Sequence, residues 1–98
     1  MGDIFLIFVF VLVNAEIGNE TKVMKFLREI DEVKEVYSVI GVYDIIAKIK
    51  TKDKNELRRI INNNLRKFKA IRSINIMIII PEKMKVESFT KQTIEILA

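Results

Sequence analysis

Two residue types that carry much of enzyme chemistry are missing from this chain: it has no cysteine and no histidine. Without cysteine there is no disulfide framework and no thiol nucleophile. Without histidine the chain lacks the commonest general base near neutral pH and the commonest metal ligand. Ser–His and Cys–His catalysis are excluded outright. No pair of carboxylates stands at a spacing suited to acid–base work, so no catalytic residue, no metal site and no cofactor is expected.

Long hydrophobic runs are also lacking. The longest begins at Ile4 and ends at Val13, and a bilayer span needs about 20 residues. The start, Met1-Gly2-Asp3, carries an acid and no Lys or Arg, which does not suit a secretion signal. Gly2 would suit a myristoyl chain, but position 6 is Leu6 where Ser or Thr is wanted. The run reads as a buried central strand, and no membrane association and a cytoplasmic location are expected. Net charge is +4, with Lys and Arg interleaved with acids along both expected helices and the tail. That reads as a solvated mixed surface and not as a nucleic-acid footprint.

What is present is a strong pattern. Half of the 98 residues are apolar, enough for the core of one domain. Residues 8–16 read as a first strand, closed by Ile17-Gly18-Asn19. Asn19 suits a helix N-cap, and Val23, Phe26, Leu27 and Ile30 place an apolar stripe on a helix over about 20–30. Residues 33–40 form the expected second strand and 45–49 the third, with Ile45, Ala47 and Ile49 on the face that meets the helices. Asp53 and Glu56 make a capping-box-like pair ahead of a second helix. Its stripe is Leu57, Ile60, Ile61, Leu65 and Phe68, with Asn62, Asn63 and Asn64 in mid-helix. Residues 71–80 give a fourth strand with Ile74, Ile76, Ile78 and Ile80 on one face and Ser73, Asn75, Met77 and Ile79 on the other, ended by Pro81.

Two strand–helix–strand halves predict an α+β fold: a ferredoxin-like βαββαβ sandwich, with a four-stranded antiparallel sheet and both helices on one face. The domain is expected over residues 1–81. Residues 82–98 are expected to be an extension that packs on a neighbouring subunit. The second sheet face is left uncovered, and an apolar face of that size calls for a twofold partner.

The polar chemistry collects at the hairpin between the second and third strands. Gly41 supplies the positive φ of a tight reversal, and Tyr43 and Asp44 carry a phenol and a carboxylate to its tip. Ser73 and Asn75 point at the same open face and need partners if covered. Two structural readings stand beside the functional one. Asp44 can hydrogen-bond the turn's own backbone, and Tyr43 can be an interface ring.

The Gly-Val-Tyr-Asp at 41–44 has companions along the chain. They are Val-Lys-Glu-Val-Tyr at 33–37, the I-x-x-K-I-x-T end of the third strand at 45–51, and the last strand through Met77-Ile78. Together they resemble, over roughly residues 8–80, the ligand-binding (RAM) domain of the Lrp/AsnC transcription regulators in a stand-alone form. The resemblance implies sheet-to-sheet homodimers that assemble into octamers or decamers. It implies an amino acid or similar small metabolite bound between dimers. By position it assigns effector binding to Gly41, Val42, Tyr43 and Asp44 on the loop and to Ser73 and Asn75 on the last strand, where Thr is usual in the family. It further implies an indirect role in transcription regulation, through mixed assemblies with full-length regulators. No helix-turn-helix precedes the sheet, so no direct DNA binding is expected.

Alternatives are a ligand-free structural oligomer and a small ferredoxin-like enzyme using Tyr43, Asp44 and Lys48. RNA binding of the RNA-recognition-motif kind is disfavoured, because residues 45–50 hold no aromatic.

Overall fold

The computed structural model describes residues 6–79. Strand β1 (Ile7–Ala15) is followed by helix α1 (Glu20–Arg28), β2 (Val33–Ser38), β3 (Ile45–Thr51), α2 (Lys54–Asn63), a 3-10 turn (Leu65–Lys67) and β4 (Ile71–Ile78). The strands form one antiparallel sheet in the order β2-β3-β1-β4, the ferredoxin-like arrangement that the alternating pattern predicts. The expected extension, residues 82–98, and the domain boundary at 81 lie outside the described residues. Among the described residues no helix is long and apolar enough to cross a membrane.

The core lies between the helices and one face of the sheet. Val9, Val11 and Val13 of the central strand are fully buried, opposite Ile49, Ala47 and Ile45 of β3. On the other side Val11 and Val13 face Ile76 and Ile74 of β4. Helix α1 contributes Val23 and Leu27, and α2 contributes Leu57, Ile60 and Ile61. Phe26 and Phe68 stack with ring centroids 4.1 Å apart, fastening α1 to the segment that leads into β4.

Three local expectations are corrected. The Asn run does not sit in mid-helix. It ends α2, with Asn64 at the C-cap donating to the Ile60 carbonyl, and a 3-10 turn then keeps Leu65 buried. Asn19 stands at the N-cap of α1, but its side chain makes no capping bond. Strand β2 stops at Ser38, so the hairpin connection is a six-residue loop over 39–44 and not a tight turn. The Asp53–Glu56 pair works nearly as expected. Asp53 Oδ1 accepts from the Glu56 amide at 2.8 Å, and Glu56 Oε1 accepts from the Lys52 amide, also at 2.8 Å.

Strand β2 alternates imperfectly because its pairing with β3 slips between Val33 and Glu35. The bulge returns Val36 to the core side opposite Ala47 and sends Tyr37 to the open face opposite Ile46. That open face carries Phe8, Phe10 and Leu12 of β1, Ile46 of β3 and Met77 of β4, with no element of the described chain laid over it. The unbroken apolar run of β1 is thus explained on one side by the helices. Its other side is half-buried by its neighbours in the sheet.

Candidate functional site

The 39–44 loop is anchored to the end of the central strand. The Val39 amide donates to the Asp44 carbonyl at 2.9 Å, closing the loop, and the Asp44 amide donates to the Val13 carbonyl at 3.0 Å. The Asp44 carboxylate completes the attachment: its Oδ2 accepts from the Ala15 amide at 3.0 Å. The carboxylate therefore bonds backbone, but that of β1 and not of its own turn. Gly41 has φ +155°, within the region that L side chains avoid, so the expected glycine requirement is met.

Tyr43 leaves the loop toward β4, where the Asn75 amide group donates to its hydroxyl. One register step along, the Asn14 amide group donates to Ser73 Oγ at 3.1 Å. Four polar side chains thus form two cross-linked pairs on the open face, at the sheet end that holds the loop. Beyond them the face becomes apolar, with Leu12 opposite Asn75 and Phe10 opposite Met77. Each polar group is satisfied, yet each pair is solvent-accessible and can exchange its partner for a ligand.

Of the six residues singled out in the sequence, Tyr43 and Asn75 meet directly. Asp44 and Ser73 lie at the same end of the sheet, each with a partner on β1. Gly41 and Val42 do not join this cluster by any hydrogen bond. Val42 is 82% exposed, and Ile40 beside it is fully exposed. With Ile17 at 88%, they leave three aliphatic side chains in solvent on the loops at this end. Asn14 was missed. Its signal was present: Phe8, Phe10, Leu12 and Asn14 share one face of β1, and the last of them breaks an apolar series.

Lys48, the cation weighed for catalysis, stands on the open face in another network. Its Nζ lies 3.9 Å from Glu35 Oε2 and 5.3 Å from the centre of the Phe8 ring. Tyr37 donates its hydroxyl to Glu35 Oε1. That bond to the carboxylate holds the Tyr37 pKa above the ordinary tyrosine value, with smaller contributions from burial and from the Glu35 charge. Among the described residues no group of three or more carboxylates is placed to hold a metal ion. At the opposite end of the sheet an open cleft of about 290 Å³ is lined by Leu6, Glu32, Lys34, Thr51 and Glu56, among others. The Thr51 hydroxyl is buried there without a hydrogen-bond partner among the described residues.

Comparison with known proteins agrees with this architecture. The sequence model of the Lrp/AsnC ligand binding domain matches residues 8–89. The hypothetical protein PHS023 from Pyrococcus horikoshii is 36% identical, with a TM-score of 0.73 over 79% of this chain and 93% of that one. The transcriptional regulator NMB0573 from Neisseria meningitidis, solved as a complex with L-Met, shares the fold at 14% identity. Its TM-score is 0.70, over 81% of this chain and 53% of that one. The homocitrate synthase of Saccharolobus islandicus is 45% identical over 53 residues, 54% of this chain. The chain spans 11% of the length of that enzyme.

Proposed function

The chain belongs to the family of Lrp/AsnC ligand-binding domains, and from that premise we propose that it is a regulatory module whose effector is an amino acid or a close analogue, held where the 39–44 loop meets β1 and β4. The observation that carries this reading is the pair of neutral contacts, Asn75 to Tyr43 and Asn14 to Ser73, beside the Asp44 carboxylate. One Asp44 oxygen holds the loop to Ala15, and the other is the natural acceptor for an ammonium. The amides of the exposed loop, around Gly41 and Val42, suit a carboxylate. Asn75, Tyr43 and Ser73 would orient the ligand by exchanging their present bonds.

The relatives support a module that serves in different settings. The match spans nearly all of the Pyrococcus protein and about half of the Neisseria regulator, while only 53 residues align with the synthase, about a tenth of its length. The Neisseria regulator was solved with an amino acid bound, which favours the same ligand class here. The synthase match covers too little of that enzyme to carry its activity over. The open sheet face, with Phe8, Phe10, Leu12, Ile46 and Met77, is assigned to a second copy of the chain. Further association into octamers or decamers, or with full-length regulators, would use the exposed loop.

A thermal-shift screen of the twenty amino acids tests the proposal. A ligand that binds the folded state alone adds about 2.7 kcal/mol at a hundredfold excess over Kd. At least one amino acid is expected to raise the melting temperature. No shift across the panel would instead favour a ligand-free oligomer.

A further inference from the structure

The net charge of +4 is not spread evenly. Residues 57–81 contain no acid and six cations: Arg58, Arg59, Arg66, Lys67, Lys69 and Arg72. The rest of the chain is therefore net −2, and the mixed-surface expectation fails for this stretch. All six cations are exposed. Arg58 and Arg59 stand on the side of α2 away from the buried Leu57, Ile60 and Ile61. Arg66 and Lys67 continue along the 3-10 turn, and Lys69 and Arg72 lie at the entry to β4, the sheet's edge strand. Arg66, Arg72 and Ser73 line one concavity of about 140 Å³ together with the half-buried Ile71 and Ile74.

We propose that this face binds the phosphate backbone of a nucleic-acid duplex, without reading its sequence. Every exposed position from 57 to 72 is Arg, Lys or Asn. Among its exposed positions such a surface offers no apolar anchor of the kind that dominates protein–protein contacts. It does match a backbone that carries one charge per roughly 1.7 Å of duplex axis. Four of the six cations are Arg, whose guanidinium fork binds phosphate oxygens in pairs. Two acids touch the face at its arginines: Glu56, 3.9 Å from Arg59, and Glu16, 3.9 Å from Arg72. Both are long ion pairs on exposed arginines, and they yield to phosphate at small cost. The expectation of no direct DNA contact rested on the lack of a recognition helix, and a face that tracks phosphates needs none. The proposed face shares Ser73 with the effector site but does not depend on effector binding.

The test is fluorescence anisotropy of a labelled mixed-sequence DNA duplex of 30 base pairs, titrated with the full chain across a salt series. Contact with four phosphates predicts a log–log slope near −3.6, or roughly a 150-fold loss of affinity between 50 and 200 mM salt. The double variant Arg66→Glu/Lys69→Glu should weaken binding at least tenfold. Lys22→Glu/Lys25→Glu on α1, with the same change in net charge, should change it less than threefold. Circular dichroism confirms that both variants fold. The proposal is overturned by no binding at 50 mM salt, by equal loss in the two variants, or by tighter binding to an acidic polyglutamate peptide than to the duplex.

Discussion

Asp44 has one observed duty, at Oδ2, and one that we propose, at its other carboxylate oxygen. Oδ2 accepts the Ala15 amide and pins the loop, so Asp44→Ala strands a part-buried N–H group. A loss of about 1–3 kcal/mol is expected, seen as a lower urea midpoint at unchanged m-value. The substitution therefore removes stability along with any ligand contact, and it cannot by itself locate a binding site. Asn75→Ala and Tyr43→Phe act on the accessible open face and should cost about 0.5 kcal/mol or less. Thr51 presents the reverse case. Its hydroxyl is buried with no partner among the described residues, so the isosteric Thr51→Val should raise stability by about 1 kcal/mol in the same urea experiment. A loss would show that the hydroxyl is bonded after all.

At the scale of elements, most of the fold was legible because one face of each element is buried and the other is not. Strand β3 alternates cleanly, Ile45, Ala47, Ile49 and Thr51 inward, and β4 places its isoleucines inward in the same way. Ser73 and Asn75 were found by that rule, and Asn14 lay within its reach. The ends of elements were less legible. The apolar spacing of α2 runs on through Leu65 because the 3-10 turn keeps that residue facing the core, so periodicity overran the helix. The low helix propensity of three consecutive asparagines was the competing signal, and it prevailed. The bulge in β2 was visible only as poor alternation, since no residue type requires it. The partners of the site residues were not legible at all. That Asp44 bonds Ala15 depends on how the loop docks against β1, a contact between residues far apart in the chain.

For the whole molecule, the two sheet faces have different fates. One is closed by the helices, and the other leaves Phe10 opposite Lys48 and Met77 with nothing among the described residues laid over it. An apolar face of this kind in water favours self-association. Sedimentation equilibrium at tens of micromolar should therefore give at least twice the 11.4 kDa chain mass, and Phe10→Asp should return it to the monomer. A monomeric wild-type chain would contradict the proposed sheet-to-sheet dimer. The glutamate–lysine–tyrosine network of Glu35, Lys48 and Tyr37 lies on the same face, so a twofold partner would have to accommodate it.

The reading of this protein turns on an amino acid binding where the 39–44 loop meets β1 and β4. The most direct test is the amino-acid thermal-shift screen, run side by side on the wild-type chain and on the Tyr43→Phe/Asn75→Ala double variant. At least one amino acid should raise the wild-type melting temperature, and the same amino acid should give little or no shift in the double variant, whose own stability is nearly unchanged. A flat response across all twenty, or a shift that survives undiminished in the double variant, would contradict it.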